Sequence, residues 1–332
     1  MSGVLNADEG ALKKGSLVVV FGGSGFVGRH TVQVLARRGY RVRVAVRRPN
    51  EAHFLRPMGD VGQVQPVQAN IRDDRSVRAA LRGADAVVNL VGILHEAGSQ
   101  KFEAVQTAGA ARVARLAAEA GVRSFVQVSA IGADAQSPAA YGRTKAQGEA
   151  LVLKSIPTAT ILRPSIIFGP EDDFFNRFAA MARLVPVLPL IGGGHTRFQP
   201  VYVQDVAEAI ARVLEQPAAR GQVYELGGRE TFSFRELMEL VLRETCRKGF
   251  LVPIPFFIAR INAFFLNFLP NPPLTPDQVE LLRSDNVVSG QAEKEGRTLS
   301  GLGIEATAPE SVLPSYLYRF RRTGQFEDRF AG

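Results

Sequence analysis

Leu17-Val18-Val19-Val20-Phe21-Gly22-Gly23-Ser24-Gly25-Phe26-Val27-Gly28 decides the fold. Five apolar, mostly β-branched residues run without alternation, as a strand buried on both faces requires. From Phe26 an apolar side recurs through Val27, Val32 and Leu35, and Gly39 stops it, so a helix is predicted over 26–38. A strand that turns through glycines into a helix is the local form of a dinucleotide-binding βαβ unit. Gly22 makes the tight turn, Gly25 lets backbone N–H groups approach a pyrophosphate, and Gly28 lets helix and strand pack closely. The anion then sits on the helix N-terminus. Gly23, Ser24, Phe26 and Val27 share the loop and belong to the same expected cradle. A glycine turn without a ligand explains the pattern alone; its place at the head of a βαβ series favours the nucleotide. Ser24 is not a nucleophile elbow, because Phe26 stands where that motif needs its last glycine.

Working outward, further strands are predicted at 42–46, 64–67, 86–91, 125–128 and 159–162, with helices over 102–120 and 141–153. Strict alternation implies an α/β Rossmann fold, a doubly wound parallel sheet with helices on both faces, and a smaller α-rich C-terminal region. Beyond Pro170 the rhythm changes. Pro186, Pro189 and Gly192 to Gly194 mark a loop, and 206–214, 234–243 and 276–283 read as helices. Four regions follow: a flexible tail over 1–14, a nucleotide-binding domain over 15–169, an interleaved second half over 170–249, and an apolar docking segment with C-terminal helices over 250–332.

Composition removes several classes of function. With 46% hydrophobic and 22% charged residues, the 332-residue chain is neither disordered nor repetitive. One cysteine, Cys246, and four scattered histidines (His30, His53, His95, His195) offer no disulfide framework and no metal site. Net charge is +8, but the basic residues are spread along the chain, and only seven are lysines. Solvated helix faces account for this, with attraction to an anionic lipid surface or acidic partner as the alternative. No aromatic–basic stacking pattern points to nucleic acid. Met1 to Lys14 lacks an apolar core, so no secretory signal is expected, and a reducing compartment is.

Cofactor choice is read at the end of the second strand, Val46-Arg47-Arg48-Pro49. NAD-specific sites place a carboxylate there for the ribose 2′-hydroxyl, whereas two guanidiniums suit a 2′-phosphate. NADP(H) is therefore preferred, with NAD(H) as the alternative; in the plainer reading both arginines only solvate a loop. The carboxyl ends of the other strands supply the remaining nucleotide contacts. Asn70 and Ile71 follow the third strand, Leu90, Val91 and Gly92 the fourth, Val128 and Ser129 the fifth, Pro164 and Ile167 the sixth.

Tyr141-Gly-Arg-Thr-Lys145 puts a phenol and an ammonium on one helix face. The lysine is expected to lower the phenol's pKa toward neutrality and to bond the nicotinamide ribose, which suits acid/base work on a carbonyl. With these residues in place, the chain resembles the extended branch of the short-chain dehydrogenase/reductase superfamily. Leu162-Arg163-Pro164, Phe168-Gly169-Pro170 and Val201 to Val206 carry further likeness. Narrower still, His53 to Gln63, Pro164 to Asp172, Phe175 to Ala179 and Gln199 to Tyr202 resemble the nucleotide-binding accessory subunits of respiratory complex I (alpha-subcomplex subunit 9) and their bacterial relatives. The likeness runs from about Ser16 to the last helices, and the Arg56-Pro57-Met58-Gly59-Asp60 stretch is its most specific part. It implies a structural nucleotide, and a peripheral place on the cytoplasmic side of a bacterial inner membrane or the matrix side in a mitochondrion. One departure from the enzyme pattern stands out. Active members carry a hydroxyl where this chain has Ala130, unless Ser129 serves, and Gln106 stands nearest the usual relay asparagine.

Phe256 to Leu269 contains eleven apolar residues in fourteen, too few to span a bilayer. It is expected either to dock residues 250–270 on a membrane surface or respiratory-complex subunits, or to cover the substrate cleft from inside. The expected function is an NADP(H)-binding subunit with little or no catalysis. The alternative is an active reductase, epimerase or dehydratase on a nucleotide sugar or quinone-pathway intermediate, with Tyr141 as acid/base.

Overall fold

The structure, a computed structural model, describes residues 11–326 except Asn271 and Thr323. Of the expected flexible tail, residues 1–10 lie outside the described residues; Leu12 is buried and its carbonyl accepts a hydrogen bond from Tyr40.

Seven parallel strands form the centre: β1 (Leu17–Phe21), β2 (Arg41–Val46), β3 (Val64–Gln68), β4 (Ala86–Asn89), β5 (Ser124–Val128), β6 (Thr160–Pro164) and β7 (Val223–Leu226). Their order is β7-β6-β5-β4-β1-β2-β3, a doubly wound Rossmann sheet. All five residues of β1 are buried, because successive side chains enter different cores. Val18 and Val20 join Val32 and Leu35 of α1 (Phe26–Arg37) with Val206 and Ile210 of α6 (Val203–Glu215). Val19 and Phe21 join α2 (Asp74–Leu81), α3 (Ala108–Glu119) and α4 (Ala140–Ser155) through Val77, Val113 and Val152. The winding reverses at β1 and β4, which leaves a crevice outside their carboxyl ends.

A second layer stands over that crevice. α5 (Phe174–Leu184) and α7 (Phe234–Glu244) pack through Phe174, Phe175, Phe178 and Phe234. The loop expected around Pro186 and Pro189 is instead a strand, Val187–Ile191, paired in parallel with Phe250–Ile254. Proline is tolerated there because the ribbon has only two strands, and each proline can turn its ring nitrogen away from the partner. α8 (Phe256–Leu266) and α9 (Pro276–Leu281) follow. Only Ala259 and Ala263 of α8 are buried, packed with Ile191 and Val279. Among the described residues no helix is long and apolar enough to cross a membrane.

Candidate functional site

A cavity of about 1140 Å³ opens at the carboxyl ends of β1 to β6 and runs on beneath α5 and α8. Its proximal end is built on the glycine loop. Gly22 has φ of +80°, which an L side chain rarely adopts, and its carbonyl accepts from Gly25 N. A Cβ on Gly28 would stand 2.4 Å from Gly22 O, so the start of α1 lies directly on the turn. Gly22, Ser24, Gly25, Phe26, Val27 and Gly28 line the cavity, while Gly23 faces the sheet, where a Cβ would meet Val44 at 2.7 Å.

The structure separates the two arginines. Both are exposed, but Arg47 lines the cavity, whereas Arg48 pairs with Glu51 at 3.0 Å, in the turns that begin at Pro49. Asn70 and Ile71 line it as well, with Asn70 Oδ1 accepting from its neighbour Arg72 N. Leu90, Val91, Gly92, Val128, Ser129, Pro164 and Ile167 complete the wall. Sequence reasoning missed Arg72, Glu171 and Arg177. Glu171 holds Arg29 at 3.3 Å and His30 Nε2 at 3.2 Å across the mouth of the glycine loop.

At the centre Tyr141 lines the cavity and Lys145 lies just behind it, its Nζ 3.2 Å from where a Cβ on Gly92 would stand. The ammonium is 5.8 Å from the phenol ring centre and donates to Val128 O at 3.4 Å. The expected lowering of the phenol's pKa does not occur. Burial, then the Asp277 carboxylate, pushes Tyr141 up to about 12, and burial brings Lys145 down to about 8 despite Glu149. Asp277, from α9, also accepts from the backbone N–H groups of Ala140 at 2.6 Å and Tyr141 at 3.0 Å, and so caps α4 from 136 residues away. No local signal in the sequence points to this carboxylate.

Ser129 and Ala130 both line the cavity, and Ser129 Oγ is buried without a hydrogen-bond partner among the described residues. Gln106 spends its amide on the structure, donating to Ile93 O at 2.8 Å and accepting from Thr144 at 3.3 Å. It sits in a π-helical turn, Glu103–Thr107, ahead of α3. The distal end is aromatic and aliphatic, with Phe174, Phe178 and Met181 of α5, Phe234 of α7, and Ala259 and Leu266 of α8. Among the described residues no cluster of three or more potential metal ligands occurs.

Comparison with known proteins places this geometry. The mitochondrial NADH dehydrogenase [ubiquinone] 1 alpha subcomplex subunit 9 of Arabidopsis thaliana is 39% identical over 295 residues, 84% of this chain and 73% of the relative. Its Rattus norvegicus counterpart is 34% identical over 310 residues, 92% of this chain and 81% of the relative. The fold is shared with the Escherichia coli NADPH-dependent quinone oxidoreductase QOR2, a structure complexed with NADPH (TM-score 0.69, 19% identity, 90% of this chain and 98% of that one). Residues 18–227, the sheet and nearly the whole proximal cavity, match the model of the NAD dependent epimerase/dehydratase family, and the chain belongs to that family.

Proposed function

We propose that this protein is an NADP(H)-holding subunit of a membrane-associated NADH:quinone oxidoreductase, which it stabilises with little or no turnover of its own. The backbone from Gly22 to Gly28 holds the pyrophosphate at the N-terminus of α1. Arg47 bonds the 2′-phosphate, Asn70 and Ile71 flank the adenine, and Tyr141 and Lys145 bind the nicotinamide ribose. Leu90, Val91, Gly92, Val128, Pro164 and Ile167 form the walls between. The preference for NADP(H) over NAD(H) rests on Arg47 and on the lack of a carboxylate beside it in Val46-Arg47-Arg48-Pro49.

One observation carries the low turnover: Lys145 lies 5.8 Å from the phenol ring centre and donates to Val128 O instead of bonding the phenol. Burial and then the Asp277 charge push that phenol's pKa up. A tyrosine held that far above neutral pH is a poor proton donor and a worse base. With Ala130 where a carbonyl-holding hydroxyl belongs, a substrate would also be poorly oriented. The relatives that carry complex I subunit names support the partner, and the exposed aromatic face of α8 supports a peripheral membrane position, on the cytoplasmic side in a bacterium or the matrix side in a mitochondrion. NADPH oxidation is the test, with carbonyls and quinones offered to the wild type and to Tyr141→Phe. No consumption above the protein-free rate is expected for either.

The orphaned Ser129 hydroxyl favours a second reading, an active reductase or epimerase that uses Ser129 and Tyr141 on a quinone-pathway intermediate or nucleotide sugar. Steady NADPH consumption by the wild type, abolished by Tyr141→Phe, is its signature.

A further inference from the structure

α8 has two unlike faces. Inward, Ala259 and Ala263 are 2% and 0% exposed, and Ala259, Asn262 and Leu266 wall the distal cavity. Outward, Phe257, Phe264 and Phe265, with Phe268 just past the helix end, are between 56% and 75% exposed. Val187, Phe250 and Val252 of the two-stranded ribbon and Leu184 at the end of α5 are exposed apolar residues as well. The stretches of chain that carry these residues hold cations and no acids, with the carboxylates Asp277 and Glu280 on the adjoining α9. Neither 174–204 nor 245–276 contains an Asp or Glu, while together they carry Arg183, Arg247, Lys248 and Arg260 among their cations. Exposed aromatics on stretches with cations and no acids suit an anionic bilayer.

Polar side chains on the wall behind α8 include Asn262, Gln278 and Ser284, but others are spent on the protein itself. Asn286 accepts from Ser165 Oγ and Ile166 N and donates to Ile131 O. Asp285 is engaged by Arg197 at 2.8 Å, and Arg177 donates to Pro273 O at 2.9 Å. Opposite α8 stand the rings of Phe174, Phe178 and Phe234 and the thioether of Met181. A nucleotide sugar would set its diphosphate and hydroxyls against those rings, where an aliphatic chain loses nothing.

We propose that the distal half of the cavity holds the aliphatic chain of a membrane lipid whose oxygen-bearing head points toward Tyr141, the ligand entering beneath α8 from the bilayer. This rests on the nucleotide-holding, membrane-docked reading above and adds the class of molecule that occupies the rest of the site. Ala259, the small inward residue of α8 on the cavity wall, leaves room that the chain fills.

The chain contains no tryptophan, so Leu266→Trp puts a single indole on the cavity wall. The test titrates the NADPH-loaded variant with a decyl-substituted benzoquinone. Saturable quenching is expected, weakened about tenfold by adding Ala259→Phe, which displaces roughly two methylenes of the chain. Quenching that a chainless benzoquinone reproduces at the same concentration, or that UDP-glucose competes away, overturns the proposal. So does quenching untouched by Ala259→Phe. Should Ala259→Phe not fold, solvent extraction of the wild type purified from its native membrane reads the same claim. Near-stoichiometric long-chain lipid is expected, and none recovered overturns it. NADPH calorimetry and vesicle sedimentation of the same samples report separately on the nucleotide and docking readings.

Discussion

Changing Phe257 and Phe264 together to serine separates docking from lid. Both rings stand on the outer face of α8, 65% and 56% exposed. Full burial of a phenylalanine stabilises by roughly 1.5–3 kcal/mol, and these two keep a little over half of that to gain from a hydrocarbon surface. Their loss therefore removes roughly 2–3.5 kcal/mol of docking, a membrane partition about 30- to 400-fold weaker. Folding is unaffected to a first approximation, since Ala259 and Ala263 make the inner contact and exposed substitutions stay within about 0.5 kcal/mol. The assay is flotation of wild type and variant with vesicles containing an anionic phospholipid, beside a thermal melt and an NADPH titration of each. Detachment with unchanged melting and affinity is expected. An unchanged partition, or a fall in melting temperature together with NADPH affinity, refutes the reasoning and makes α8 an internal lid.

Three further outcomes follow from the site. Arg47→Ala should weaken NADPH about tenfold or more and leave NADH unchanged, as loss of one charged hydrogen bond removes roughly 1.5–3 kcal/mol; Arg48→Ala, paired outside with Glu51, should change neither by much in calorimetry. Burial lowers Lys145 to about 8 from its ordinary 10.5, so the unfolded chain binds the extra proton between those values and stability rises with pH across them. In nucleotide-free protein Lys145→Met should therefore melt higher than wild type at pH 7, with the advantage lost by about pH 10.5; an equal gap at both pH values counts against a desolvated ammonium. Asp277→Ala removes the cap on α4, with a loss of about 1 kcal/mol. It should also bring the Tyr141 titration, near 12, back toward 10 in the ultraviolet phenolate signal, and an unmoved titration would assign the shift to burial alone.

Local pattern made the first half of the fold legible. Buried parallel strands are continuous apolar runs, and Gly22 to Gly28 fix where the nucleotide cleft must open. What was not legible depends on distance along the chain or on side-chain direction. Pro189 argued against a strand at Val187–Ile191, and only its partner Phe250–Ile254 makes one. Arg47 and Arg48 look equivalent until the chain turns at Pro49 and sends one into the cavity and the other to Glu51. Tyr141 and Lys145 were found by spacing, but the phenol is set by its burial and then by the distant Asp277 charge. α8 was visible as an apolar run; the two alanines four apart that decide which face turns inward were hidden among residues equally apolar.

The most direct test of an NADP(H)-holding subunit is the nucleotide it carries. Protein isolated from its native membrane without added cofactor is denatured, and the released dinucleotide is identified and counted by mass spectrometry. About one NADP(H) per chain is the result the proposal predicts, with the pyrophosphate assigned to the N-terminal end of α1 and the 2′-phosphate to Arg47 on the cavity wall. NAD(H) at the same ratio would contradict the cofactor assignment, and a chain that releases no dinucleotide would contradict the account as a whole.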